Sequence, residues 1–108
     1  MSTKPVLPRD LARRDVEATV DYYLREAGTN VALGFIEALR AAYRTIANHP
    51  AAGSSRYAHE LAIPGLRSRR LRRYPYLVFY VEREDHIDVW RVLHAQRNIP
   101  ARMQKPER

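Results

Sequence analysis

Two groups of side chains in this sequence have the types and spacing to handle a phosphodiester. Arg91, His94 and Arg97 recur at steps of three in the run R-V-L-H-A-Q-R, and Arg67, Arg69, Arg70, Arg72 and Arg73 crowd into seven residues with only Ser68 and Leu71 between them. Cleaving RNA without a metal needs a group to deprotonate the 2′-hydroxyl, a group to protonate the leaving oxygen, and cations to stabilise the charged phosphorane. His94 is the residue for proton transfer, because an unperturbed imidazole titrates near physiological pH. Arg67, Arg69, Arg91 and Arg97 can each grip phosphate through paired hydrogen bonds. Glu60 can act as a base only if its loop brings it near. The plainer reading of His94 is that it ends a strand and tethers a neighbouring loop by hydrogen bonds.

The arginine cluster is open to further readings. As a solvated edge strand it resists edge-to-edge aggregation. As a docking surface it pairs with an acidic peptide segment, which can also add to the sheet edge. Direct nucleic-acid binding is the third reading, with Tyr74 and Tyr76 as the only interleaved aromatics available for base stacking. Trp90 and Tyr80 combine an apolar body with a polar tip, so each is either an interface anchor or a core residue. His49, His59 and His86 fit no metal-ligand spacing and the chain has no cysteine, so neither a metal site nor a cofactor is expected.

These side chains need a frame, and the stretch Tyr76 to His94 supplies its centre. Tyr76 to Val81 is apolar or aromatic throughout, a composition that fits a packed strand. Arg83 to His86 then break the run, and Ile87 to Leu93 resumes it, with Ile87, Val89 and Leu93 alternating against Asp88 and Trp90. The simplest reading is a β-hairpin with a short polar loop. A lone hairpin is marginal in water, so earlier segments must cover it.

Two amphipathic helices provide the cover. Ala12, Val16, Val20, Tyr23 and Ala27 draw one apolar stripe from a start at Pro8 to a stop near Gly28. Thr29 and Asn30 are suitable N-caps for a second helix, whose stripe is Ala32, Phe35, Leu39, Ala42 and Ile46 and which ends before Pro50. The short connection predicts an antiparallel helical hairpin. Val6 and Leu7 suggest a brief edge strand, Ala51 to Tyr57 a loop, Pro64-Gly65 a turn, the arginine run an edge strand pairing with Tyr76 to Val81, and Ile99 to Met103 a last helical turn. The expected fold is thus α+β: an N-terminal helical hairpin packed on a three- to four-stranded antiparallel sheet, as a single domain over residues 1–108 with its core in about 6–103.

Composition bounds the remainder. A chain of 108 residues forms one modest core. No apolar run approaches the roughly 20 residues of a spanning helix, and the first residues lack a signal-peptide core, so a cytoplasmic soluble protein with no membrane partner is expected. The formal charge of +7 points to an acidic partner, either nucleic acid or a negatively charged protein segment.

Taken in order, several short motifs resemble those of the ParE branch of the ParE/RelE toxin superfamily, the plasmid-stabilisation toxins. They are Asp15-Val16 on the first helix, P-x-x-G at Pro50 to Gly53, P-G-L-R at Pro64 to Arg67, V-F-Y at Val78 to Tyr80, and I-x-V-x-R-V-L-H-x-x-R at Ile87 to Arg97. The last is the most specific. Two departures stand out: the stretch from Pro64 to Tyr76 is richer in arginine than that pattern, and Asn98 stands where an aspartate is commoner. The resemblance implies a bacterial toxin of a type II toxin-antitoxin module, forming a hetero-oligomer with a cognate ParD-like antitoxin. ParE-like members poison DNA gyrase, whereas RelE-like relatives cleave mRNA on the ribosome. The expected activity is therefore gyrase inhibition by binding, without catalysis. The alternatives are a ribosome-dependent mRNA endonuclease using His94, Arg91 and Arg97, and a non-toxic binding module on the same scaffold. On the first reading Arg67, Arg69, Arg70, Arg72, Arg73 and Trp90 bind the antitoxin or the target.

Overall fold

In the computed structural model, which describes residues 3–97 and 99–103, strand β1 (Val6–Pro8) leads directly into helix α1 (Asp10–Glu26). The Arg9 N–H still pairs with the Val89 carbonyl at 2.9 Å, so the chain leaves the sheet and enters the helix within one residue. Asp10 places a carboxylate at the positive end of the helix dipole. Helix α2 (Thr29–Asn48) follows after a two-residue turn pivoting on Gly28. The Gly28 N–H closes α1 on the Tyr23 carbonyl at 2.8 Å, and its own carbonyl accepts from Ala32 at the start of α2. This double duty needs a φ of 98°, which glycine adopts without strain. The N-cap of α2 is therefore Gly28, not the expected Thr29 or Asn30, both of which lie inside the helix.

All five stripe residues of α2, from Ala32 through Phe35, Leu39 and Ala42 to Ile46, are buried. Phe35, Leu39, Ala42 and Ile46, with Ala12 of α1, pack on Val78, Tyr80, Ile87, Val89 and Val92, and Val16, Val20 and Tyr23 close the margin. Those sheet residues belong to β3 (Tyr76–Glu82) and β4 (Ile87–His94), the expected hairpin. Strand β2 (Leu66–Arg70) joins β3 as an edge, in the register Leu66 to Val81 and Arg70 to Leu77. The sheet order is β1-β4-β3-β2. All pairings are antiparallel except that of β1 with β4, so the sheet is mixed, though mostly antiparallel as expected.

Both faces of the sheet are covered. A 3-10 turn (Pro50–Ala52) falls within the loop expected over Ala51 to Tyr57, and helix α3 (Arg56–Leu61) begins inside it and runs beyond. Tyr57 of α3, with Ile99 and Met103 of α4 (Ile99–Met103), packs on Leu66, Phe79, Val81 and Leu93. This second layer explains why Tyr76 to Val81 shows no polar alternation: one parity of the strand faces α1 and α2, the other faces α3 and α4.

A β-bulge in β4 changes which residues share a face. Phe79 pairs with Arg91 but Tyr80 pairs with Val89, leaving Trp90 as the extra residue. Val89 and Val92, three apart, both join the α1–α2 core, while Leu93 lies on the opposite face. The simple alternation of Ile87, Val89 and Leu93 expected from the sequence is thus broken by the bulge. No helix among the described residues is long and apolar enough to cross a membrane.

Candidate functional site

The run from Arg91 to Arg97 ends β4 beside α1, and its first arginine is fully engaged. Arg91 Nε and Nη2 each donate to one oxygen of Asp15 at 2.8 Å. Its Nη1 donates to the Arg102 carbonyl of α4, also at 2.8 Å, and the Val92 N–H donates to Asp15 at 3.0 Å. Hydrogen bonding to Asp15 holds the guanidinium even more firmly protonated than usual, against the opposing effect of burial. The pair is largely withdrawn from water, with side chains 15% and 10% exposed, and it ties α1, β4 and α4 together. A phosphate at Arg91 would have to displace Asp15.

His94 sits at the end of β4, half-buried, with its ring edge-on to Tyr76 at a centroid distance of 5.2 Å. Its Nδ1 accepts a hydrogen bond from the Gln96 N–H at 3.1 Å. A backbone N–H can only donate, so Nδ1 presents its lone pair and the ring proton resides on Nε2. In this tautomer the imidazole offers an N–H donor, and its one basic nitrogen is already engaged by the Gln96 N–H. Arg97 is exposed, and its N–H donates to the His94 carbonyl at 3.1 Å. His94 and Arg97 meet in a cavity of about 420 Å³ between α1 and the end of β4, together with Thr19, Tyr22, Tyr23 and Tyr76. Asp15, already held by Arg91, is the one carboxylate among the described residues lining it. Glu60 lies elsewhere, on α3, where it pairs with Arg56 at 3.1 Å. The corner can hold an anion through His94 and Arg97; a free proton acceptor does not accompany them.

The arginine run divides into three environments. Arg67 is part of an internal lock: its Nη1 donates to the Gly53 carbonyl at 2.8 Å, while the Tyr80 hydroxyl donates to the Pro50 carbonyl at 2.6 Å. Gly53 lies directly against that hydroxyl, and a Cβ there would stand 3.0 Å from Tyr80 Cζ and 3.1 Å from the Ser68 carbonyl oxygen. Pro50, Gly53, Arg67 and Tyr80 come from three of the sequence motifs and meet as one contact. Tyr80 is fully buried, which settles it as a core residue and not a solvent-facing anchor. Arg69 and Arg70 end β2, whereas Arg72 and Arg73 lie in the β2–β3 turn, so the expected edge strand is shorter than the arginine run. The aromatics beside them are structural. Tyr74 and Tyr76 pack on Phe35 and Tyr23, and the Tyr74 hydroxyl donates to the Val31 carbonyl across Gly34.

Trp90, the bulge residue, is half-buried. Its Nε1 donates to Asp88 at 3.1 Å and the Arg9 guanidinium lies 4.4 Å over its ring. Asp88 also receives two bonds from Arg9 and two from Arg83. Burial pushes the Asp88 carboxyl up, but the bonds from Arg9, Arg83 and Trp90 outweigh it and hold the group below the usual carboxylate range. Sequence reasoning missed that Asp15 and Asp88 organise these clusters, because Arg91 lies 76 residues from Asp15 and Arg9 lies 79 from Asp88. No group of histidine, aspartate and glutamate able to hold a metal occurs among the described residues.

A helical hairpin on a mostly antiparallel four-stranded sheet, closed at one corner by an Asp–Arg pair and a strand-end histidine, defines a small α+β class of proteins. Within it, the profile of the ParE toxin of the type II toxin-antitoxin system parDE matches residues 6–99. The chain belongs to this ParE toxin family. Among solved structures it is similar in fold to a chain of the chromosomal ParDE toxin-antitoxin system from P. aeruginosa, with a TM-score of 0.72 and 19% identity over 87% of this chain and 98% of that one. No curated protein matches it in sequence.

Proposed function

We propose that this ParE-family protein arrests bacterial growth by binding DNA gyrase in the cytoplasm, without catalysis of its own, until a cognate antitoxin neutralises it. The observation that carries this reading over cleavage is the commitment of Arg91 to Asp15 and to the Arg102 carbonyl. With the His94 proton on Nε2, the corner lacks both a phosphate-gripping Arg91 and a free base.

Antitoxin binding is supported by apolar side chains that stay exposed among the described residues. Leu7 of β1, Leu11, Tyr22 and Leu24 of α1 and Leu33 of α2 are 41–54% exposed. An antitoxin segment wrapping the helical hairpin and the sheet buries them. Trp90 extends the contact surface toward antitoxin or target. Because such a contact is partly apolar, the hetero-oligomer survives moderate salt that strips purely electrostatic pairs.

The second reading is a ribosome-dependent mRNA endonuclease, favoured by the meeting of His94 and Arg97 in one cavity. Induced expression of the protein without antitoxin separates the two. Gyrase binding stops DNA synthesis before protein synthesis; an endonuclease stops translation first. Undisturbed growth rejects both and leaves a non-toxic binding module.

A further inference from the structure

The end of β2 and the β2–β3 turn carry arginines whose side chains are unpaired among the described residues. Arg70, Arg72 and Arg73 are exposed and Arg69 is half-buried, and no side chain of the four has a hydrogen-bond or ion-pair partner among the described residues. Several other arginines are matched with carboxylates, as Arg9 and Arg83 are with Asp88 and Arg91 with Asp15, whereas here four stand close together without one. The turn is also firmly mounted. Leu71 is 3% exposed, its N–H donates to the Tyr76 carbonyl at 3.0 Å, and the Tyr74 hydroxyl is fixed to the Val31 carbonyl at 2.9 Å. Between these two anchors Arg73 takes a φ of 72°, in the left-handed region. Arginines thus flank the two anchors, Leu71 and Tyr74.

We infer that this turn docks the sugar-phosphate backbone of duplex nucleic acid. The competing occupant is an acidic peptide, and two observations weigh against it. A peptide adding to the outer edge of β2 meets Ser54, which already exchanges both backbone hydrogen bonds with Ser68 at 2.9 Å. A peptide held by side chains needs apolar anchors, yet the exposed large apolar residues all lie on β1, α1 and α2. Phosphates need neither; guanidinium pairs and positive charge suffice. Phosphate contacts of this kind position the protein without reading sequence. It goes beyond the gyrase reading and stands or falls separately from it.

The test is fluorescence anisotropy of the full chain with a labelled mixed-sequence duplex across a salt series. It compares wild type with Arg70→Gln/Arg72→Gln/Arg73→Gln, and with Arg14→Gln/Arg40→Gln/Arg44→Gln, which removes the same charge from exposed helix positions. The turn variant is expected to flatten the slope of log K against log salt by roughly 2.7 and to weaken low-salt binding by more than about tenfold, while the helix variant stays close to wild type. Arg70→Gln/Arg72→Gln, which leaves the left-handed position untouched, flattens the slope by roughly 1.8 and guards against misfolding of the triple variant. Equal losses in both triple variants, no duplex binding by wild type, or displacement of duplex by a glutamate-rich peptide that binds more tightly would each overturn the inference.

Discussion

Arg91 and Asp15, 76 positions apart in the chain, meet as two parallel 2.8 Å hydrogen bonds under the cover of α1 and α4. The contact joins the first helix to the last strand, and its third bond reaches the final helix. Asp15→Asn leaves a buried guanidinium half-satisfied. The expected cost is about 3 kcal/mol, a fall in Tm of roughly 15 °C. Replacing both partners, Asp15→Leu with Arg91→Met, removes the uncompensated charge and should melt above the single variant. Thermal denaturation followed by circular dichroism checks both, and an Asp15→Asn variant melting with wild type would remove this pair from the account of stability.

Gly53 is fixed by the Tyr80 hydroxyl and the Ser68 carbonyl that crowd it. Gly53→Ala forces that contact apart at a cost of about 2 kcal/mol. Tyr80→Phe takes away the crowding oxygen and the bond to Pro50, so the double variant should lose less than the sum of the singles. Strict additivity in denaturant titrations would show that the two do not meet.

Asp88 makes acid stability testable. Its folded-state pKa is depressed, so between that value and the unfolded one, near about 3.9, the unfolded chain binds more protons and stability rises with pH. The contribution is fully present above the unfolded pKa and disappears as pH falls through the folded one. Asp88→Asn should therefore lower Tm at pH 6 and flatten the acid limb below about pH 4. An acid limb as steep as that of wild type would assign the transition to other carboxylates.

His94 separates binding from catalysis. If the toxin works by binding, His94→Ala, which removes the Tyr76 contact and the Gln96 tether, should slightly soften the corner and leave growth arrest intact. Complete loss of arrest in a variant that retains the wild-type melting curve would favour the endonuclease reading.

The helical hairpin and the central strands were legible because each repeats a period: Ala32 to Ile46 steps along one helix face, and Tyr76 to Val81 is an unbroken β-forming run. The second layer was not. Arg56 to Leu61 is one and a half turns long and carries one buried residue, Tyr57, too little for a periodic signal beside Gly53, Ser54 and Ser55. The bulge at Trp90 was equally hidden, since register is decided by pairing across strands and not by composition along one. At the candidate site, the R-V-L-H-x-x-R run marked the right corner, but the roles within it depend on contacts from afar. Arg91 is taken up by Asp15, and the hydroxyls of Tyr80 and Tyr74 by the Pro50 and Val31 carbonyls, contacts that no local pattern around these residues signals.

Gyrase supercoiling in vitro tests the central claim most directly. Added to purified gyrase with relaxed plasmid, the protein should inhibit supercoiling in proportion to its concentration, and pre-incubation with its antitoxin should restore activity. Undiminished supercoiling at saturating protein, combined with codon-dependent cutting of mRNA in a translating extract, would contradict it.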